Sequence, residues 1–228
     1  MSAIESAVEN PRVDSEDDDE PQLSCYALAA LNEFLAEKNE KEEKLRHLAE
    51  AEDKDHLLNE IDLDEDWQLS QFWYEDSTTE VLARESLKLA GENGSIACIS
   101  CPTLYKHLRK VKPSSCTVKL LEFDSRFSCY GSDFVPYDYN APLEVPKDLQ
   151  SSFTVVVADP PFLSEECLTK TALTMRFLTK GSLILCTGAV MSELASRLLQ
   201  LKMCEFRPRH KNNLANDFRC YANFDFES

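Results

Sequence analysis

Long apolar runs are missing from this sequence of 228 residues. Apolar residues make up 43% of it, yet no stretch approaches the roughly 20 consecutive apolar residues that a bilayer-spanning helix needs. The first residues also lack the basic and apolar regions of a secretory signal peptide. We therefore expect a cytoplasmic protein that does not enter a membrane.

Basic side chains are scarce in the first part of the chain, and this asymmetry limits the kind of partner. Residues 1–66 carry 22 acidic and 6 basic side chains, a net charge of −16, whereas residues 67–228 carry 19 and 18. The acidic part repels phosphate backbones. The composition therefore argues against a nucleic-acid partner and favours a basic protein surface.

The nine cysteines do not form a recognisable metal motif. Cys98 and Cys101 have CxxC spacing, but no second pair and no histidine cluster stands near enough to complete a zinc site. Cys98, Cys186 and Cys220 lie in apolar, strand-like runs, where buried reduced thiols are expected. We therefore predict no metal site.

The N-terminal part predicts a tail, a helix and a linker. Within residues 1–22, Asp14 to Glu20 contains six acids and one serine, which predicts a disordered tail. In residues 23–66, apolar side chains then recur at intervals of three to four, which predicts an amphipathic helix with Ser24 as its N-cap. These positions are Leu28, Leu31, Phe34, Leu35, Leu45 and Leu48. An acidic linker follows the helix, whose apolar side should pack on the domain of residues 67–228 rather than on a partner.

Strands and helices alternate from residue 67 to the end of the chain. Compact apolar runs predict five buried strands, at 95–100, 117–124, 134–139, 153–158 and 182–186. Helices are predicted at Val81 to Ala90, Leu104 to Val111 and Glu165 to Leu178. Met203 to His210 and Phe218 to Phe226 alternate like a closing antiparallel hairpin. The pattern predicts a doubly wound α/β fold with a mostly parallel, seven-stranded sheet.

The segment Asp159-Pro160-Pro161-Phe162 follows the predicted fourth strand, where ligands bind in an open parallel sheet. Proline lacks a backbone N–H and holds φ at about −65°, so this loop is stiff. The Asp159 carboxylate and a loop carbonyl then converge as acceptors for an amine. Phe162 offers a ring to a cationic side chain or a planar base. The pattern suits a reaction at an amino nitrogen.

This tetrapeptide resembles the [N/D]-P-P-[F/Y/W] signature of class I amino-methyltransferases. Together with the segments 66–74, 123–127, 159–168, 185–188 and 213–221, it resembles one small family. That family is the eukaryotic lysine methyltransferases of translation elongation factor 1-alpha, formerly described as N6-adenine DNA methyltransferases. The likeness covers about residues 21 to 226. It implies a Rossmann-like class I methyltransferase fold, S-adenosylmethionine as cofactor and elongation factor 1-alpha as protein substrate. Nothing in the sequence requires more than a monomer.

The resemblance also implies residue roles. Glu122, or as second choice Asp124, would accept the hydroxyls of the cofactor ribose, because a carboxylate accepts two O–H bonds. Asp138 would accept from the adenine amino group. Ser100 begins a loop without the glycine that most such enzymes have, so we expect other cofactor contacts there. Asp159 would contact the cofactor and orient the acceptor lysine, and it would form the catalytic centre with Pro160 and Phe162.

Aromatic residues precede the first predicted helix of the domain, at Trp67, Phe72, Trp73 and Tyr74. Core packing is one explanation for them. Their place in the family-like segment favours a roof over the pocket, with Trp73 and Tyr74 contacting substrate together with Pro161 and Phe162.

Two other functions stay open. Methylation of adenine N6 in DNA or RNA suits the same tetrapeptide, because an exocyclic amine also needs acceptors and a stacking ring. A non-catalytic adaptor that retains the fold is the second alternative. The basic residues near the C-terminus are either ordinary surface or a rim that contacts substrate or RNA. They are Arg207, Arg209, His210, Lys211 and Arg219.

Overall fold

The computed structural model describes residues 24–50, 65–212 and 216–227. Contacts divide the chain into two compact units, one up to Lys41 and one from Glu42 onward. The predicted tail and most of the predicted linker lie outside the described residues. The predicted domain boundaries therefore stay predictions. No helix in the described part of the chain combines the length and the apolar composition of a membrane span.

The N-terminal helix, α1 (Cys25–Glu50), is present as predicted. Ser24 caps it, because its hydroxyl accepts a hydrogen bond from the backbone N–H of Ala27 at 3.2 Å. The described leucines of the apolar stripe are exposed: Leu28, Leu31 and Leu35. The side chains of Phe34, Leu45 and Leu48 lie outside the described ones. What the stripe packs against stays a prediction.

Seven strands form one sheet in the second unit. They are β1 (Ser95–Ile99), β2 (Thr117–Glu122), β3 (Phe134–Pro136), β4 (Val155–Ala158), β5 (Ser182–Gly188), β6 (Lys202–Met203) and β7 (Phe218–Ala222). Their spatial order is β3-β2-β1-β4-β5-β7-β6. Strands β1 to β5 are parallel, and β7 is antiparallel to both of its neighbours. The predicted mostly parallel, seven-stranded α/β sheet is confirmed.

Helices cover both faces of the sheet, which explains why the central strands are apolar throughout. In β4, Val155 and Val157 belong to one core cluster, whereas Val156 and Ala158 belong to the other. The first cluster includes side chains of α2 (Asp76–Ala90) and α3 (Pro102–Val111). The second includes side chains of α4 (Glu165–Leu178) and α5 (Ser192–Leu199). The predicted double winding is therefore present.

Three helices differ from the prediction, and the smallest difference is in α3, which begins at Pro102 and not at the predicted Leu104. Helix α2 begins at Asp76 and not at the predicted Val81. Its first turn contains weak helix formers, but a tertiary contact holds it, since the Thr78 hydroxyl accepts from the backbone N–H of Arg209 at 2.8 Å. The sequence patterns did not predict α5, whose 8 residues span only about two turns.

The C-terminal hairpin is shorter than predicted. Strand β6 has only 2 residues, so the predicted strand from Met203 to His210 is wrong beyond its start. His210 instead forms an antiparallel bridge with Tyr74, far away in the sequence. This pairing places the C-terminal segment against the residues that precede α2.

The strand order changes direction beside β1, whose neighbours are β2 and β4. A crevice for ligands forms at the carboxyl ends of such strands. Ser100, Glu122 and Asp159 occupy those ends, so the topology brings three of the predicted site residues to one edge of the sheet.

Candidate active site

A cavity of about 600 Å³ opens at this edge, and we name it the reaction cavity. Its walls come from the loops after β1 to β4, from the segment before α2 and from the C-terminal segment around His210 and Phe218. Most predicted site residues line it: Ser100, Glu122, Asp138, Asp159, Pro160, Pro161, Phe162, Trp73 and Tyr74. Of the predicted site residues, all of which are described, only Asp124 does not. The volume lies within the roughly 300–1,000 Å³ of small-molecule sites.

The tetrapeptide after β4 forms one wall of the cavity. The backbone N–H of Asp159 donates to the Ile99 carbonyl at 3.0 Å, which anchors the loop to the end of β1. Pro160 is buried, whereas Phe162 is 43% exposed. The Phe162 ring meets the Tyr139 ring edge-on at 5.7 Å. The loop thus presents a carboxylate beside an open aromatic wall.

The Tyr74 side chain fixes the position of the Asp159 carboxylate through a hydrogen bond. Its hydroxyl donates to Asp159 Oδ2 at 2.5 Å, and its side chain is 1% exposed. Burial, and next the charge of Asp159, raises the pKa of Tyr74 well above its ordinary value. The tyrosine therefore keeps its proton and remains a donor to one oxygen of Asp159.

The C-terminal segment holds Tyr74 in turn. The Tyr74 and His210 rings are 5.0 Å apart, and the His210 ring meets Phe218 edge-on at 4.8 Å. On either side of the bridge, the Glu75 N–H donates to the Arg209 carbonyl at 2.9 Å and the Lys211 N–H donates to the Trp73 carbonyl at 2.8 Å. These contacts therefore connect three parts of the chain: the loop that bears Asp159, the aromatic segment before α2, and the C-terminal segment around His210.

Glu122 is a buried carboxyl that lines the reaction cavity. Its Oε1 accepts from the backbone N–H groups of Phe123 at 3.1 Å and Asp124 at 3.3 Å. Burial raises its pKa to about 7, although these hydrogen bonds oppose the shift. Glu122 is thus an acceptor whose charge changes near neutral pH.

Asp124 does not line the reaction cavity, and its carboxylate accepts hydrogen bonds from neighbouring residues instead. Its carboxylate accepts from the Arg126 backbone N–H at 2.9 Å, from Arg126 Nε at 2.8 Å and from Gln71 Nε2 at 3.0 Å. Burial alone would raise its pKa, but hydrogen bonds from Arg126 and Gln71 outweigh burial and hold the pKa below its usual value. Of the two predicted ribose acceptors, Glu122 lines the reaction cavity and Asp124 does not.

Ser100 and Asp138 lie in the loops after β1 and β3. Ser100 has a φ of 54°, in the left-handed region where glycine is usual, so a serine makes the turn before α3 without a glycine. Asp138 Oδ1 accepts from the backbone N–H of Asn140 at 2.8 Å, which fixes the loop after β3. Both residues line the reaction cavity as predicted.

The aromatic segment lies where a roof was predicted, since Phe72, Trp73 and Tyr74 all line the cavity. The side chain of Trp67 lies outside the described ones.

The basic residues near the C-terminus do not form one surface. His210 is buried and lines the cavity, and Arg219 pairs with Asp217 at 2.8 Å.

Several residues of the cavity were not predicted. Gln71 lines it and links two parts of the site, because it donates to Asp124 and accepts from Arg126 at 3.1 Å. Its place inside the family-like segment 66–74 was the available signal. Tyr139 and Asn140 follow Asp138 in the loop after β3 and could have been found as residues near a strand end.

The predicted burial of Cys98, Cys186 and Cys220 is confirmed. Cys101 is buried as well, and its thiol donates to the Val157 carbonyl at 3.7 Å. Within the described residues, no group of three or more His, Cys, Asp or Glu side chains could hold a metal ion.

The chain matches known proteins over most of its length. A protein-family model described as "Probable N6-adenine methyltransferase" matches residues 65–226. "EEF1A lysine methyltransferase 1" of Mus musculus is 52% identical over 213 residues, which cover 93% of this chain and 96% of that protein. "Protein-lysine N-methyltransferase EFM5" of Saccharomyces cerevisiae is 39% identical over 231 residues, which cover 90% and 93%.

A solved structure supports the fold. The branched-chain polyamine synthase C9 mutein from Thermus thermophilus superposes with a TM-score of 0.54 at 12% identity, covering 73% of this chain and 63% of that one. At this identity the likeness shows the architecture alone. The full-length relatives carry lysine methyltransferase names, whereas the description of the family model names adenine.

Proposed function

The chain belongs to the family of EEF1A lysine methyltransferases, and we propose that it transfers a methyl group from S-adenosylmethionine to a lysine ε-amine of translation elongation factor 1-alpha. The observation that carries the proposal is the Asp159 carboxylate, fixed by Tyr74 and set beside the exposed Phe162 ring in the reaction cavity. Relatives that are named for EEF1A and match over nearly their whole length support the choice of substrate.

The residues of the cavity fit S-adenosylmethionine. Glu122 is a buried carboxyl at the end of β2, where it would accept the ribose hydroxyls. Asp138 would accept from the adenine amino group, and the turn at Ser100 would lie along the remainder of the cofactor. When bound, the cofactor supplies an electrophilic methyl group on a sulfonium.

Asp159 acts as an orienting acceptor. Tyr74 occupies Oδ2, which leaves Oδ1 and the loop carbonyls to accept from the substrate amine. A lysine has a pKa of about 10.4, and a carboxylate alone would raise it, so Asp159 does not serve as a strong base. Partial desolvation in the cavity favours the neutral amine, and its proton passes to water. Most of the rate then comes from positioning.

Phe162 and Tyr139 form the wall along which the substrate side chain enters. An aromatic face attracts an ammonium group and packs on the aliphatic part of lysine. Because Phe162 is 43% exposed, an incoming side chain can cover its ring. Trp73 and Pro161 complete the substrate contacts in this proposal.

Methylation of adenine N6 is the second candidate, favoured by the description of the family model. The same acceptors and ring would hold an exocyclic amine, and a duplex would have to release its base. The acidic composition of residues 1–66 and the names of the full-length relatives favour lysine instead. The arrangement of Glu122 and Asp159 argues against a non-catalytic adaptor, because a protein that does not bind the cofactor does not need these carboxyl groups in the cavity.

The test is transfer of labelled methyl from S-adenosylmethionine to purified elongation factor 1-alpha, with RNA and DNA oligonucleotides in parallel. We expect label on the protein, loss of label with Asp159→Ala, and retained label with Asp148→Ala, an exposed aspartate outside the cavity. Cofactor binding by Asp159→Ala, measured by calorimetry, should persist. Label on nucleic acid alone would replace the lysine proposal with the adenine one.

The proposal includes a cytoplasmic monomer. Light scattering on the purified chain should give a mass near 25.9 kDa. A dimer mass would contradict this part and leave the chemistry of the site unchanged.

A further inference from the structure

A second cavity, of about 230 Å³, lies beside the reaction cavity. The two share Trp73, Pro102 and Thr103 as lining residues, so they are direct neighbours. The other walls of the second cavity are one side of α3, the start of α2 and the segment after β2. The mechanism above makes no use of it.

Positive charge distinguishes the second cavity. Lys106 and Lys110 lie one turn apart on α3, and Lys211 of the C-terminal segment completes the lining beside His107. Of the described lining residues, Asp76 alone is acidic. In a chain with a net charge of −17, this concentration of cations departs from the average composition. The cavity therefore suits an anionic group.

Aromatic rings form an apolar wall next to these cations. The Phe127 and Tyr130 rings lie 6.2 Å apart and nearly parallel, and Trp73 meets Phe127 edge-on at 6.5 Å. Arg109 lies over the Tyr130 ring at 5.2 Å. Attraction between charges is stronger beside apolar surface than in open water. A carboxylate in this cavity would thus interact more strongly than one on a flat surface.

We propose that this cavity, which we name the docking cavity, binds an acidic segment of the protein substrate while the acceptor lysine occupies the reaction cavity. The inference rests on the proposed function. Three lysines in one small cavity are too few for the run of phosphate contacts that nucleic-acid binding uses, which favours a protein segment. The shared Trp73 wall sets the two binding points close together, so docking fixes which lysine is presented.

The test is the double variant Lys110→Glu/Lys211→Glu, because both positions are exposed and reversal there should not disturb the core. We expect KM for elongation factor 1-alpha to rise about tenfold or more, because rim charges govern encounter and register. The kcat and the affinity for S-adenosylmethionine should stay within about twofold. The matched control is Lys180→Glu/Lys202→Glu, which makes the same charge change at exposed positions outside both cavities and should leave KM unchanged.

Three results would overturn the inference. Equal KM values in the two double variants would show that charge at the cavity is irrelevant to docking. Loss of cofactor affinity would assign the cavity to the cofactor. Loss of binding to an RNA oligonucleotide with unchanged protein KM would assign it to nucleic acid. Interferometry measures binding of elongation factor 1-alpha directly, whether or not a methyl group is transferred. It therefore distinguishes a failure of docking from a failure of the proposed methyl transfer.

Discussion

Glu122 and Asp124 stand two residues apart at the end of β2, yet their carboxylates have opposite environments. Glu122 lines the reaction cavity, and burial raises its pKa to about 7. Asp124 faces Arg126 and Gln71, whose hydrogen bonds hold its pKa below the usual value. One carboxylate is therefore open to a ligand, and the other stabilises the fold.

The pKa of Glu122 predicts how cofactor binding depends on pH. Ribose hydroxyls donate to the ionised carboxylate, and the raised pKa leaves Glu122 protonated below about pH 7. The affinity for S-adenosylmethionine should therefore increase by about tenfold between about pH 6 and about pH 8. Calorimetry across this range measures the slope.

The matched variant is Glu122→Gln, which keeps the shape and removes the charge. Its cofactor affinity should be about 10- to 100-fold weaker at about pH 8, and nearly independent of pH, because hydrogen bonds to a charged acceptor are lost. A variant with the same pH slope as the wild type would show that another group causes it.

Asp124→Asn should lower stability and leave cofactor binding nearly unchanged. The Asp124 side chain is 5% exposed and pairs with Arg126 at 2.6 Å. We expect the free energy of unfolding at neutral pH to fall by about 1–3 kcal/mol. Because the folded-state pKa is lowered, the contribution is present above the unfolded value of about 3.9 and is lost as pH falls further. Denaturant titrations at two pH values check this, and a constant difference between the two proteins would contradict it.

Local patterns were sufficient to predict the parallel strands and α4, because buried runs such as Val155 to Ala158 carry their own signal. The segment ending at His210 was mispredicted for a different reason. Its pairing partner is Tyr74, and no local pattern encodes a bridge between segments so far apart in sequence. Likewise, alternation along a strand places Glu122 and Asp124 on the same face, so only the bend after β2 separates their roles.

Tyr74→Phe should lower kcat about 10- to 100-fold without weakening cofactor binding. The substitution keeps the ring against His210 but removes the 2.5 Å hydrogen bond that fixes Asp159 Oδ2. A less fixed acceptor positions the amine poorly, which affects kcat more than KM. Steady-state kinetics with elongation factor 1-alpha, together with calorimetry for the cofactor, separate the two effects.

Tyr105→Phe is the control for Tyr74→Phe. Tyr105 is equally buried and donates to Asp133 at 3.2 Å, but it lines neither cavity. The Tyr105→Phe variant should lose about as much stability as Tyr74→Phe, and its kcat should stay at the wild-type value. Equal losses of turnover in both variants would mean that Tyr74 acts only through stability.

The site itself was predictable in part. Residues in the loops after strands, such as Asp159 and Asp138, were found because the carboxyl ends of parallel strands form ligand sites. The role of Tyr74 was predicted as a substrate contact, while the structure shows its hydroxyl bonded to Asp159, 85 residues away in the sequence. Spacing along the chain cannot show such a contact.

Phe162 should determine how well the substrate side chain binds. Phe162→Ala removes an exposed ring, so the fold should survive, and KM for elongation factor 1-alpha should rise about tenfold as the cation and aliphatic contacts are lost. Phe162→Tyr keeps the ring and should stay within about threefold of the wild type. Leu143→Ala, which truncates an apolar side chain that is 57% exposed outside the cavity, controls for general surface effects. A loss of cofactor affinity in Phe162→Ala with unchanged KM would place this ring on the cofactor side of the reaction cavity.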